Sequence, residues 1–322
     1  MPSRTFAFIH PITPAQLQPF RDAAPDVEFL VPGSGPLPAG LERADAAAIS
    51  WNGPPVDDIL AAAPRLRWLN QRGAGIDKIT TQQLIQSDVV VTNGSGSHAP
   101  NIAEHVLALM LAFARQLPAL VRSQQAARWE PPGEGRLFEL SGQTLAIVGA
   151  GAIGGALAPR AAALGMTVVG VRRTAVSAPS PGIARIVGSD RLGEALGIAD
   201  HVAIALPLTA ETRGLFSTAL LAQMKRGAYL YNVGRGALVD PAALLAALRS
   251  GHLAGAGLDV TEPEPLPADS PLWHEPGVVI TAHSAGNTPR SYARYERLLL
   301  DNLGRWTRGE PLLNVVDKRL GY

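Results

Sequence analysis

A glycine-rich turn between an apolar strand and a helix is the feature that most constrains this chain. Residues 145–148 are apolar, and Gly149, Gly151 and Gly154 follow at G-x-G-x-x-G spacing. In a dinucleotide site the first glycine permits a tight turn, the second lets backbone approach a pyrophosphate, and the third lets helix and strand pack closely. The helix N-terminus offers free N–H groups to the anion. The motif predicts a nucleotide site that includes Ala152 and Ile153; a plain glycine-rich turn is the alternative.

Apolar runs recur along the second part of the chain at intervals that leave room for helices. The strand candidates are residues 145–148, 167–171, 201–205, 228–232, 256–259 and 278–281. Parallel strands that are buried on both faces appear in a sequence as continuous apolar runs of this kind. Six of them with intervening helices predict a complete doubly wound nucleotide domain of the Rossmann type.

The first hundred residues predict a second, smaller α/β unit. Its strand candidates are residues 5–9, 27–31, 46–50, 66–69 and 89–92, separated by segments that carry Pro, Gly and Asp. Residues 100–120 predict one long apolar helix, and residues 292–306 predict the last helix.

We therefore expect two doubly wound parallel-sheet α/β domains. A Rossmann NAD(P)-binding domain of residues 98–288 would be inserted into a flavodoxin-like substrate domain made of residues 1–97 and 289–322. The active site is expected in the cleft between them.

Composition argues against several classes of function. The 322 residues are 47% hydrophobic and 17% charged, with a net charge of +1 and no block of like charge, so no nucleic-acid partner is predicted. The absence of cysteine excludes disulfides, thiolate metal sites and cysteine catalysis, and no metal site is predicted. Residues 1–10 lack signal-peptide features, and the longest strongly apolar run, residues 106–114, is too short to span a membrane. We expect a cytoplasmic protein with no membrane partner.

Polar side chains follow the last three predicted strands of the nucleotide domain. Arg235 comes after the first of them, Asp259 and Glu264 after the second, and His283 after the third. Ligands of open α/β sheets bind outside the carboxyl ends of the strands. All these groups are therefore expected to face the cofactor crevice.

These segments, in this order, resemble the D-isomer-specific 2-hydroxyacid dehydrogenases. The matching stretches are residues 149–154, 232–240, 259–265 and 283–286. Residues 73–77, Gly-Ala-Gly-Ile-Asp, are similar to the family's substrate-carboxylate loop, and residues 101–109 are similar to its long helix. The resemblance covers nearly the whole chain. Within the family, residues 49–56 and 73–77 most resemble bacterial glyoxylate/hydroxypyruvate reductases.

The resemblance implies a catalytic role for three residues. His283 would donate a proton to the developing alkoxide, because imidazolium titrates near working pH. Glu264 would hydrogen-bond the other ring nitrogen and fix its orientation. Arg235 would hold the substrate carboxylate through its planar fork and polarise the carbonyl.

The two binding sites are expected to extend to further residues. Backbone N–H groups of Ala74 and Gly75 would hold the other side of the carboxylate, and Asp259 would contact the nicotinamide or help to set Arg235. The substrate site is expected to include Trp51, Arg72, Gly73, Ala74 and Gly75. The cofactor site is expected to include Leu206, Pro207, Thr212, Val233, Gly234, Asp259 and Gly286.

Two positions depart from the family pattern. NAD-binding members usually carry an acidic residue after the second strand, to bind the ribose 2′-hydroxyl. Here that position lacks a carboxylate and offers Arg172, Arg173 and Thr174, which suit a 2′-phosphate. We therefore predict NADPH over NADH, with NAD possible. The second departure is Ala282, where the family commonly has Pro before its histidine.

The resemblance implies reduction of a small 2-oxo acid, such as glyoxylate or hydroxypyruvate, to the D-2-hydroxy acid. It also implies a homodimer built through residues 100–120.

One alternative is a dehydrogenase for another 2-oxo or 2-hydroxy acid (a sugar acid or an aromatic 2-oxo acid) or for phosphite. Formate dehydrogenase fits less well, because that relative pairs its histidine with Gln, not with Glu264. Another alternative is a nucleotide-sensing corepressor or scaffold, and the last is a purely structural Rossmann protein.

Overall fold

The computed structural model describes residues 4–33, 35, 37–173 and 180–322, and the chain divides into two compact units. Met1–His98 with Thr288–Tyr322 form the discontinuous unit, and Ala99–Asn287 form the inserted unit. The sequence analysis predicted domain boundaries after residues 97 and 288. In the structure the boundaries lie after residues 98 and 287.

The discontinuous unit is built on a five-stranded parallel sheet. Its strands are β1 (Arg4–Ile9), β2 (Val27–Leu30), β3 (Ala46–Ile49), β4 (Trp68–Gln71) and β5 (Val90–Asn93), in the order β2-β1-β3-β4-β5. Its helices are α1 (Pro14–Ala23), α2 (Val56–Ala62), α3 (Gln82–Gln86) and α10 (Pro289–Arg308). This order is the flavodoxin-like one that the sequence predicted.

Both faces of this sheet are covered by apolar clusters, which explains why its strands are largely apolar. One face packs Phe6, Phe8 and Trp68 against Leu17 of α1 and Leu299 of α10. The N-terminus of α10 is fixed by a capping box, in which Thr288 and Ser291 bond each other's backbone N–H groups.

The inserted unit is built on a seven-stranded parallel sheet. Its strands are β6 (Thr144–Val148), β7 (Thr167–Arg172), β8 (Arg185–Gly188), β9 (His201–Ile204), β10 (Ala228–Asn232), β11 (Leu253–Leu258) and β12 (Val278–Ile280), in the order β12-β11-β10-β9-β6-β7-β8. Its helices are α4 (Ala99–Ala114), α5 (Leu117–Gln125), α6 (Ala152–Ala163), α7 (Leu192–Ile198), α8 (Thr218–Leu221) and α9 (Pro241–Arg249). The two doubly wound parallel sheets confirm the predicted fold class.

The prediction of six strands in this unit was wrong by one. The sequence analysis missed β8, a four-residue edge strand that pairs only with β7. Its first residue, Arg185, is exposed, so the segment lacks the continuous apolar run that marks the other strands.

The prediction of one helix over residues 100–120 was also wrong. The chain forms α4 and α5, bent by 67° at the break. Gln116 adopts φ 53°, in the left-handed region. Pro118 has no N–H to bond the carbonyl of Ala114, and its ring would clash with that carbonyl in a continuous helix. In the described residues no single helix is long and apolar enough to cross a membrane, whereas α4 and α5 taken together meet that criterion of length and composition.

Candidate active site

The glycine-rich turn has the geometry that a dinucleotide requires. Gly149 has φ 101°, and a Cβ on it would lie 2.5 Å from the carbonyl oxygen of Ala205. A Cβ on Gly154 would lie 2.9 Å from the Gly149 oxygen, whereas a Cβ on Gly151 would meet nothing within 4 Å. The first and third glycines therefore allow close packing, and the second leaves open space beside the backbone.

Helix α6 begins directly after this turn, at Ala152 and Ile153. Its N-cap is Gly151, and no side chain accepts a hydrogen bond from the first turn. The unsatisfied N–H groups and the positive end of the helix dipole fit a pyrophosphate.

The arginines predicted to bind the 2′-phosphate lie at the end of β7. The Nε atom of Arg172 donates to the carbonyl of Ala150 at 2.9 Å, which ties the side chain to the glycine-rich turn. Arg173 Nη2 lies 3.7 Å from Oε2 of Glu211, and both side chains are more than half exposed. Thr174 lies outside the described residues.

Two more segments of the predicted cofactor site lie against each other. Leu206 and Pro207 follow β9, and the hydroxyl of Thr212 donates to the Pro207 carbonyl at 2.7 Å. A Cβ on Gly234 would lie 2.8 Å from the Leu206 oxygen. The Val233–Gly234 backbone therefore packs closely against the turn after β9.

Arg235 is held in a tight turn at the end of β10. The side chain of Asn232 fixes this turn with two hydrogen bonds. Its amide oxygen accepts from Gly234 N–H at 3.1 Å, and its amide nitrogen donates to the Arg235 carbonyl at 2.8 Å. A Cβ on Gly236 would collide with the carbonyl of Thr261. The turn that carries Arg235 therefore packs closely against the segment that precedes Glu264.

His283 and Glu264 form a hydrogen-bonded pair. His283 Nδ1 lies 3.0 Å from Glu264 Oε2, and each side chain is about one-third exposed. A carboxylate only accepts, so Nδ1 carries the hydrogen and Nε2 is the nitrogen that would transfer a proton. The other oxygen of Glu264 accepts from Thr261 N–H at 3.3 Å, which fixes the carboxylate.

The loop that carries His283 is anchored by Asp259. This buried carboxylate accepts from the Thr281 hydroxyl at 2.7 Å and from the N–H groups of Ser284 and Ala285 at 2.9 and 3.1 Å. The backbone N–H of His283 donates to the Asp259 carbonyl at 2.6 Å. The carboxylate thus sets the loop of His283 and Gly286, a role that the sequence analysis did not assign to it.

The same loop has left-handed backbone at two non-glycine residues. Ala282 has φ 47° and His283 has φ 54°. Proline is confined to φ near −65°, so this conformation could not accommodate the Pro that the family commonly has at position 282.

His105, on α4, contacts the loop that carries His283, although the sequence analysis did not single it out. Its Nε2 lies 2.9 Å from the Thr281 hydroxyl. Because that hydroxyl donates to Asp259, it accepts from His105, and a hydrogen-bond chain runs from α4 to the loop that carries His283. No local pattern could indicate a contact between residues so far apart in the chain.

The discontinuous unit holds the predicted carboxylate loop, Gly73–Gly75. The Gly73 carbonyl accepts from Gly94 N–H at 3.0 Å, and the Ala74 carbonyl accepts from the amide of Asn93 at 2.6 Å. In a trans peptide the C=O and the following N–H point in opposite directions. The N–H groups of Ala74 and Gly75 are therefore turned away from β5, and neither donates to an acceptor in the described residues.

Asn93 and Gly94 were missed by the sequence analysis. Asn93 is buried, and a Cβ on Gly94 would collide with the Arg72 carbonyl. The small residue lets β5 approach the loop, and the amide side chain then orients the loop.

Trp51 and Arg72, which flank the Gly73–Gly75 loop, contact different parts of this unit. A Cβ on Gly73 would lie 3.7 Å from the Trp51 ring, and Lys78 Nζ lies 4.3 Å from the centroid of that ring. The Arg72 guanidinium instead lies 4.4 Å from the ring centroid of Tyr292, on the side covered by α10.

Comparison with known proteins shows which family this chain is similar to. Residues 107–285, more than half of the chain, match the model for "D-isomer specific 2-hydroxyacid dehydrogenase, NAD binding domain". A glyoxylate reductase from Korarchaeum cryptofilum is 34% identical over 273 residues, covering 83% of this chain and 81% of the relative. This chain belongs to the D-isomer specific 2-hydroxyacid dehydrogenase family. Most of its inserted unit is therefore an NAD-binding domain, and the family acts on small 2-hydroxy or 2-oxo acids.

Solved structures of this dehydrogenase family match over nearly the full length. A family member from Xanthobacter autotrophicus Py2, in complex with NADPH and MES, is 33% identical with a TM-score of 0.86 and covers 99% of this chain and 100% of its own. An NADPH-dependent glyoxylate/hydroxypyruvate reductase from Sinorhizobium meliloti, in complex with NADP and sulfate, is 29% identical with a TM-score of 0.84, over 99% and 100% of the two chains.

The phosphoglycerate dehydrogenases among the relatives are longer. That of Archaeoglobus fulgidus is 33% identical over 261 residues, which is 81% of this chain and 49% of the relative. The chain thus spans about half the length of these curated relatives.

Proposed function

We propose that this dehydrogenase uses NADPH to reduce a small 2-oxo acid, glyoxylate or hydroxypyruvate in the first instance, to the D-2-hydroxy acid. The observation that carries the proposal is the His283–Glu264 pair, with Nδ1 and Oε2 3.0 Å apart. Reduction of a carbonyl needs a proton donor held in one orientation, and a histidine paired with a carboxylate supplies it.

Each remaining group has a defined part in this reaction. NADPH, when bound, supplies the hydride. Arg235 binds the substrate carboxylate through its fork and polarises the carbonyl. The Ala74 and Gly75 N–H groups are two adjacent backbone donors, which suit a carboxylate. Asp259, through its bonds to the loop, keeps His283 in place.

The preference for NADPH is argued from the end of β7. Arg172 and Arg173 stand where NAD-binding members carry a carboxylate, and both side chains are exposed there. Two guanidinium groups favour a 2′-phosphate over a 2′-hydroxyl. Arg173 would exchange its exposed pairing with Glu211 for the phosphate, and an exposed pair at 3.7 Å offers little resistance.

Initial rates test this proposal directly. We expect purified protein to oxidise NADPH with glyoxylate and with hydroxypyruvate, and to oxidise NADH more slowly at equal concentration. Acetate, which has a carboxylate but no 2-oxo group, is the control and should give no turnover. Absence of turnover with both acids and both cofactors would reject these substrates.

We also infer that the chain forms a homodimer through the α4–α5 region. Trp129 is fully exposed, and Leu117 and Val121 of α5 are each 48% exposed. Large apolar side chains left in water favour association. Light scattering should give twice the chain mass, and replacing Leu117, Val121 and Trp129 with Ser should give the monomer mass. A wild-type monomer at micromolar concentration would contradict the inference.

A further inference from the structure

Two adjacent residues of the loop that carries His283 have an unfavourable backbone conformation. In this loop, which we call the His283 loop and define as residues 281–286, Ala282 has φ 47° and His283 has φ 54°. Residues with a Cβ disfavour this left-handed region, and they remain in it only where the surrounding structure holds them there. The contacts that hold the His283 loop therefore also determine where the imidazole lies.

Helix α4 directs one row of side chains toward this loop and toward the strand before it. Helix residues four apart are neighbours on one face, which places Asn101, His105 and Leu109 in a single row. Leu109 is buried against β11, where a Cβ on Gly257 would lie 3.0 Å from Leu109 Cδ1. This packing fixes α4 beside the strand that ends directly before Asp259.

The two polar residues of this row contact the two ends of the His283 loop. His105 Nε2 donates to the Thr281 hydroxyl at 2.9 Å, just before the left-handed pair. The side-chain amide of Asn101 donates to the Ala285 carbonyl at 2.6 Å, just after the pair. One face of α4 thus holds the strained segment from both ends.

We propose that Asn101 and His105 are positioning residues, which keep the imidazole of His283 oriented for proton transfer. The inference rests on the proposed role of His283 as the proton donor. Asp259 also holds the loop, so loss of one α4 contact should displace His283 and leave the fold intact. A displacement of about 1 Å at a reacting group can lower the rate about a hundredfold.

Steady-state kinetics of His105 variants test the contact with Thr281. His105→Ala should lower kcat for glyoxylate at least about tenfold, while KM for glyoxylate and Kd for NADPH stay within about twofold. The amide nitrogen of Gln can take the place of Nε2 and donate, whereas the shorter Asn does not reach the hydroxyl. His105→Gln should therefore recover most of kcat, and His105→Asn should not. His274→Ala removes an exposed histidine and is the control.

A double-mutant cycle tests whether His105 acts through the Thr281 hydroxyl. Thr281→Val removes that hydroxyl and keeps the branched shape, and Thr281→Ser retains the hydroxyl. We expect His105→Ala combined with Thr281→Val to be no slower than Thr281→Val alone, because the two changes remove the same hydrogen bond. A combined loss of kcat equal to the product of the two single losses would overturn this path.

Hydrogen exchange gives a readout that needs no turnover. The N–H of His283 is bonded to the Asp259 carbonyl at 2.6 Å, so its exchange reports how firmly the loop is held. A peptide spanning the His283 loop should exchange faster in His105→Ala and in Asn101→Ala than in the wild type, and His105→Gln should exchange like the wild type.

These measurements separate failure of this inference from failure of the proposed reaction. A wild type that reduces neither acid would reject the proposed reaction, and hydrogen exchange would still show whether α4 holds the loop. Equal exchange in the wild type, His105→Ala and Asn101→Ala would overturn the inference whatever the substrate. An active wild type whose kcat is unchanged by His105→Ala would also overturn it.

Discussion

At the scale of single residues, Asn93 orients the backbone N–H of Gly75 although it carries no chemistry of its own. In Asn93→Ala the Ala74 carbonyl loses its 2.6 Å hydrogen bond, and the N–H of the same peptide, that of Gly75, loses its fixed direction. We expect KM for the 2-oxo acid to rise about tenfold, the equivalent of one hydrogen bond, with a smaller change in kcat.

Asn93→Asp is the matched variant, because it keeps the shape but cannot donate when ionised. It should raise KM by a similar factor, while NADPH affinity and thermal stability serve as controls. Unchanged KM in both variants would refute the role of Asn93.

The proposed preference for NADPH depends on two other residues, Arg172 and Arg173. Arg172→Ala with Arg173→Ala should raise KM for NADPH about a hundredfold, since two charge-assisted contacts are lost, and should change KM for NADH little. Arg185→Ala removes an exposed arginine at the amino end of β8 and is the control. A rise of KM by the same factor for NADPH and NADH would contradict binding of the 2′-phosphate by these two arginines.

Whether the sequence could identify a site residue depended on where in the chain its hydrogen-bond partner lies. The sequence singled out His283 and Glu264 because each follows a strand of one parallel sheet. It did not identify Asn93 or His105 as site residues, because their contacts to Ala74 and Thr281 come from distant turns of the chain. Their only signal is a polar residue in an otherwise apolar segment.

At the scale of elements, His201 on β9 makes stability depend on pH. It is fully buried between Gln143 Oε1 at 2.6 Å and the Tyr231 hydroxyl at 2.9 Å, and burial lowers its pKa to about 4. In the unfolded chain its pKa is about 6.5. As the pH falls below about 6.5, the unfolded state takes up a proton that the folded state refuses, so stability is lost down to about pH 4.

This loss amounts to at most about 3 kcal/mol. Urea unfolding near pH 7 and near pH 5 should show about 2 kcal/mol of it, and His201→Gln, which cannot titrate, should lose less stability over the same interval. His274→Gln removes an exposed histidine and should behave like the wild type. An equal pH dependence in wild type and His201→Gln would contradict the assignment.

Element prediction succeeded where burial on both faces gives a continuous apolar run, and it failed where local geometry interrupts the pattern. The apolar periodicity of residues 100–120 continues across Gln116 and Pro118, so it conceals the 67° break between α4 and α5. Strand β8 is short and begins with an exposed arginine, so only Ile186 and Val187 carry an apolar signal, which is too short to mark a strand.

At the scale of the whole molecule, the sequence predicted two parallel α/β units, and the structure has sheets of five and seven strands. The family match follows from motifs at the carboxyl ends of those strands. The sequence pattern could not predict the surroundings of Trp51 and Arg72, because their cationic and aromatic partners, Lys78 and Tyr292, come from other segments of the chain.

The central claim is that His283 donates the proton in an NADPH-dependent reduction. The most direct test compares His283→Ala with the wild type in two measurements, turnover of glyoxylate and hydroxypyruvate and the Kd for NADPH by fluorescence titration. His274→Ala is the control and should retain both. We predict that kcat falls by about a thousandfold while the Kd for NADPH stays within about twofold. Retained turnover in His283→Ala would contradict the account.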